Sequence, residues 1–88
     1  MILLCYNLVM INRKTVNEKL GDNIRRLRLQ SGYSQEAFAN EAGISRAYYG
    51  RCELGIHSFT VDKLQLIANL LNIPLRDLFT DEDGNPIV

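Results

Sequence analysis

Arg46 and Arg51 stand five residues apart with Ala47 and Tyr48 between them, and Ser34, Gln35, Ser45 and His57 lie close by along the chain. A guanidinium carries a fixed fork of N–H donors and no acceptor, so these arginines suit planar acceptors: a carboxylate, a phosphate, or the O6/N7 edge of a guanine. The hydroxyl, amide and imidazole groups add donors for anionic oxygen. The inventory for bond-breaking chemistry is thin by contrast. There is one histidine, with no cysteine beside it, no glycine-rich phosphate loop and no pair of carboxylates in an apolar setting. Cys5 and Cys52 have neither close spacing nor a histidine cluster, which argues against a zinc site and a disulfide framework. The expectation is a binding protein, not an enzyme, with no cofactor and no metal.

The elements that must position these groups are short helices. A first helix is predicted over about Val16 to Gln30, where Val16, Leu20, Ile24, Leu27 and Leu29 recur at three- and four-residue steps, with Gly32 ending it. Ser34 is an N-cap for a second helix that carries Glu36 in its first turn and stops at Gly43. Ser45 caps a third helix of about eight residues, closed by Gly55. Ala37, Phe38 and Ala39 are then packing residues of the second helix. Ile44, Tyr49 and Cys52 face inward from the third, leaving Arg46, Ala47, Gly50 and Arg51 outside and Tyr48 at the edge. Thr60 caps a fourth helix with Val61, Leu64, Ile67, Ala68 and Leu71 as its stripe and Asn72 as its stop, and Pro74 to Thr80 reads as one or two turns of a fifth. Asp81-Glu82-Asp83-Gly84-Asn85-Pro86 is an acidic, turn-rich tail. No strand pattern or repeat follows residue 12, so the fold class expected is all-α.

Eighty-eight residues make one modest core and leave no room for a second, catalytic domain. Ten basic and ten acidic residues cancel, a balance that by itself counts against nucleic acid as a partner. Their distribution reverses that argument: residues 13–51 carry a net +4 and residues 52–88 a net −4, so one face can be basic on a neutral molecule. Met1 to Ile11 is apolar apart from Asn7, yet it is shorter than the roughly 20 residues that span a bilayer and lacks a signal peptide's basic start and cleavage site. A cytoplasmic protein without membrane contact is expected.

Two short helices joined across Glu41-Ala42-Gly43-Ile44-Ser45 have the form of a helix-turn-helix. Ser34-Gln35-Glu36-Ala37-Phe38-Ala39, Ala42-Gly43-Ile44-Ser45 and Glu53-Leu54-Gly55 resemble the Cro/Xre family of phage-repressor domains, over about residues 18–80. Within it, Ile44-Ser45-Arg46-Ala47-Tyr48-Tyr49 with His57-Ser58 is similar to controller proteins of restriction–modification systems. The resemblance implies a five-helix, lambda-repressor-like domain over residues 15–80; the apolar extension at 1–14 departs from the compact family pattern, and the acidic tail occupies 81–88. It also implies a transcription regulator that binds a palindromic operator in double-stranded DNA and acts on its own gene.

In that setting Arg46, Ala47, Tyr48 and Arg51 are the candidate base contacts, since an α-helix fits the major groove. Gln35 corresponds to the family's phosphate-contacting glutamine, with Ser34, Ser45 and His57 as further phosphate candidates. Arg28 and Glu53 resemble the family's structural pair between the first and third helices. Plainer uses stay open: solvated charges for the arginines, a core cover for Tyr48, a cap for Gln35 and a loop position for His57. One recognition helix buries too little surface for tight binding, so a homodimer is expected. Its candidate interface is Ile73, Leu75, Leu78 and Phe79, with a closed monomer core as the alternative. Residues 1–11 could enlarge that interface, pack on their own domain, or precede a translation start at Met10. An antitoxin-like module holding a protein partner is the rival function.

Overall fold

A computed structural model describes residues 14–88; the apolar extension and its alternatives fall on residues 1–13, outside the described residues. Four α-helices form among the described residues: α1 Val16–Gln30, α2 Gln35–Ala42, α3 Arg46–Glu53 and α4 Val61–Leu71. Each starts on a side-chain cap. Thr15 accepts from the Glu18 amide while Glu18 accepts from the Thr15 amide, a reciprocal box, and Ser34, Ser45 and Thr60 each accept from the amide three residues on. The helix stops follow the expected residues, with Gly43 and Asn72 in the left-handed region at φ 72° and 59°.

The expected fifth α-helix is replaced by a 3-10 helix, Leu75–Phe79. Pro74 pre-sets its start, but Thr80 is already extended and forms an isolated antiparallel bridge with Pro86, so five residues are left and their bonds run from i to i+3. The tail is drawn into the fold by that bridge: Ile87 N–H donates to the Phe79 carbonyl, and the Asp81 carboxylate accepts from the amides of Asp83 and Asn85.

Ile24, Phe38, Tyr49, Cys52, Ile67 and Leu78 are fully buried at the centre. Phe38 packs on Tyr49 with ring centroids 5.5 Å apart, and Tyr49 packs edge-on to Phe59 at 6.0 Å. Four residues expected inside lie outside. Val16 and Leu29, expected on the α1 stripe, are 55% and 52% exposed, and Val61 of α4 is 70% exposed, because a stripe drawn at three- and four-residue steps is wider than the strip its neighbours cover. Ala37 is exposed while Phe38 and Ala39 supply the α2 packing.

Two features of the α1 face have no counterpart in the hydrophobic pattern. Asn23 is buried and donates from Nδ2 to the carbonyls of Leu78 (2.7 Å) and Thr80 (2.8 Å), tying α1 to the end of the 3-10 helix. Gly21 lets α1 approach the end of α3: a Cβ there would lie 2.3 Å from the Glu53 carbonyl oxygen. Gly21→Ala must push the two helices apart. The expected result is a loss of about 1–3 kcal/mol in urea unfolding, since overpacking against backbone leaves no flexible group to yield.

Candidate nucleic-acid interface

The interface is built on α3 and the termini around it. Ser45 caps α3 through its Oγ, 3.2 Å from the Tyr48 amide, and Tyr49 and Cys52 fix the inner face by their full burial. With the helix rotation set from inside, Arg46, Ala47 and Arg51 are exposed on the outside, and neither guanidinium has a hydrogen-bonded or ionic partner among the described residues. Two arginines and a methyl group are thus presented on the outer half of one short helix, with no described residue to satisfy the arginines.

Tyr48 sits at the edge of that face, half-buried, and is held from two sides. Its hydroxyl donates to the Ser58 carbonyl at 2.8 Å, and its ring stacks on His57 with centroids 6.0 Å apart and planes 17° from parallel. Ser58 is anchored in turn, its Oγ accepting from Asn17 Nδ2 of α1 at 2.8 Å. The neighbouring Cys52 thiol and partial burial hold the Tyr48 phenol above its ordinary pKa, so it stays neutral under ordinary conditions. His57 is exposed but stacked, a more defined position than a free loop residue.

Behind the face lies a buried ionic network. Arg28 Nε donates to Glu53 Oε2 at 2.7 Å and its second nitrogen to Oε1 at 3.3 Å, with both side chains nearly excluded from solvent. The remaining guanidinium nitrogen donates to the Tyr33 carbonyl. Tyr49 and Gln35 complete the carboxylate shell, the Gln35 Nε2 lying 2.9 Å from Oε1. Burial by itself would raise the Glu53 pKa. The hydrogen bonds from Arg28, Tyr49 and Gln35, with the Arg28 charge, outweigh it and hold the carboxyl below its ordinary value.

The pair inferred for Arg28 and Glu53 is therefore present and joins α1 to α3. Gln35 is half-buried at the start of α2, and one of its two amide hydrogens is committed to Glu53, the other to no described residue. Ser34 and Ser45 are exposed and each accepts one capping bond, and neither hydroxyl hydrogen is committed to a described residue. Leu78 departs from expectation: its side chain is fully buried in the monomer core, so it offers no surface to a second copy, whereas Ile73, Leu75 and Phe79 are half-buried. Asn17, Asn23 and Gly21 carry no signal in the sequence, and Ser58 enters it only beside His57 in the controller-like motif, without its contact to α1. Asn17 and Ser58 meet across 41 residues, and no local spacing encodes that contact.

No helix among the described residues is long and apolar enough to cross a membrane. Comparison with known proteins gives a consistent picture. The helix-turn-helix family matches residues 24–78, the stretch that runs from mid-α1 through the 3-10 helix. The transcriptional regulator SlrR of Bacillus subtilis (strain 168) is 34% identical over 64 residues, covering 72% of this chain but only 42% of SlrR. Control protein C.MunI of Mycoplasma sp is 33% identical over 64 residues, covering 72% of this chain and 86% of its own. The crystal structure of the restriction-modification controller protein C.AhdI from Aeromonas hydrophila superposes with a TM-score of 0.69 at 35% identity, covering 72% of this chain and 96% of that one. With the capped helix pair, its turn and the buried Arg28–Glu53 pair all in place, the chain belongs to the helix-turn-helix family of Cro/Xre-type transcription regulators.

Proposed function

We propose that this protein binds a specific palindromic operator in duplex DNA as a homodimer, and that it serves as the controller of a restriction–modification system acting on its own gene. The observation that carries the reading is the outer face of α3, where Arg46, Ala47 and Arg51 are exposed and without partners among the described residues. Arg46 donates to guanine O6 and N7, Ala47 meets a thymine methyl, and Arg51 reaches a base or a phosphate. Gln35, Ser34, Ser45 and His57 supply phosphate donors that set the docking register. The controller assignment rests on the likeness to C.MunI and C.AhdI, most of whose length this chain covers.

Dimerisation is assigned to the surface made by Ile73, Leu75 and Phe79 together with Leu66, which is 45% exposed on α4. The reading requires the two α3 helices of such a dimer to lie about 34 Å apart, one turn of DNA. Selection of binding sites from randomised duplex DNA tests the whole reading. An enriched inverted repeat with that half-site spacing supports it, and no enrichment by a folded protein overturns it. Because phosphate contacts release counterions, affinity is expected to fall steeply, by tenfold or more, between about 50 and 200 mM salt. Fluorescence anisotropy across that range checks this, and a flat profile excludes a phosphate-anchored complex.

A further inference from the structure

We infer that Tyr48 reads DNA only as a hydrogen-bond acceptor, selecting an adenine or cytosine amino group in the major groove. This rests on the DNA-binding reading above. The Ser58 carbonyl has no hydrogen to give, so at 2.8 Å the hydroxyl hydrogen of Tyr48 must point at it. What that oxygen has left is lone-pair density. Acceptor density repels phosphate oxygens, guanine O6 and N7 and thymine O4. It is satisfied in the major groove by the N6 amino group of adenine or the N4 amino group of cytosine.

The commitment of that hydrogen is built into the fold. Stacking on His57 fixes the ring plane, and the Asn17 amide holds Ser58 in place from α1. The loop between α3 and α4 is pinned a second time at Gly55, whose φ is +82° and where a Cβ would lie 2.6 Å from Glu18 of α1. A loop tied to α1 at both points keeps the carbonyl in place when α3 meets DNA. Asn17, His57 and Ser58 are thus positioning residues, and Tyr48 is the group that touches the base.

Site selection by wild type and Tyr48→Phe, each checked for cooperative unfolding, locates the position in each half-site where the variant loses its preference. At that position purine replaces adenine, or 2-pyrimidinone replaces cytosine, in the selected operator. For wild type the analogue is expected to weaken binding about 2- to 10-fold for each half-site that carries it, the worth of one net hydrogen bond. Tyr48→Phe should lose a similar factor on the natural operator and nothing further on the analogue. Asn17→Ala should show part of the same localised loss. A uniform loss across all sequences would assign Tyr48 to the backbone and overturn the inference. So would an unchanged preference, or a lost preference for guanine or thymine. If wild type enriches no sequence at all, the DNA-binding reading fails first and this inference with it. Selection by wild type with an unchanged Tyr48→Phe profile removes the inference alone.

Discussion

Arg46→Ala is expected to weaken operator binding by about 30-fold or more while leaving the fold intact. The side chain is exposed and bonded to no described residue, so its truncation removes no packing and leaves no buried group unsatisfied. Its unfolding midpoint should match wild type, as surface substitutions of this kind stay within about 0.5 kcal/mol. On DNA the effect is large because a bidentate arginine–guanine contact discriminates by about 1–3 kcal/mol, and a two-fold symmetric dimer loses it twice. A gel-shift with DNA from immediately upstream of the gene should lose about 30-fold or more in affinity for Arg46→Ala. Residual binding should be unselective and strongly salt-dependent. Retention of wild-type affinity and selectivity would move base recognition off the first turn of α3.

Glu53→Ala is expected to be the most damaging single change to stability. It leaves Arg28 buried without a counter-charge and takes the acceptor from Tyr49 and Gln35 as well. Breaking a buried pair from one side costs about 3–5 kcal/mol, a large share of the roughly 5–15 kcal/mol that a domain has. Urea unfolding should show the loss, and a wild-type midpoint would contradict the role given to the network. Replacing Arg28 and Glu53 together by methionine should cost less than the sum of the single changes, since no uncompensated charge stays buried.

The same carboxylate gives a pH dependence of defined sign. Its folded pKa lies below the ordinary value of 4.5, so its contribution is fully present above about pH 4.5 and drains away as pH falls through the folded pKa. Glu53→Gln should therefore be less stable than wild type at neutral pH, and the gap should narrow on acidification below about pH 4.5. A gap that widens on acidification would mean that the folded pKa is raised instead.

Much of this molecule was legible along the chain because the signals are local. Helix caps at Ser34, Ser45 and Thr60 act within three residues, and the glycines and Asn72 end helices through their own backbone freedom. The outer face of α3 follows from the spacing of Tyr49 and Cys52 alone, which is why Arg46, Ala47 and Arg51 fall where the sequence put them. The width of the buried stripe was not legible at Val16, Leu29 and Val61, because burial depends on what lies opposite, and a single helix does not carry that information.

Sequence by itself determined the four capped helices, the helix-turn-helix pair and the donor face, since each depends on interactions spanning four residues or fewer. Tertiary structure decided the rest. It took Leu78 into the core, shortened the fifth element to a 3-10 helix and folded the tail back. It also turned Gln35 toward Glu53, used Asn23 to hold two distant carbonyls and committed the Tyr48 hydrogen to Ser58. The physical reason is one of range. A polar side chain takes whichever partner the packed elements bring within about 3 Å, and that partner is fixed only when helices far apart in sequence have closed on one another.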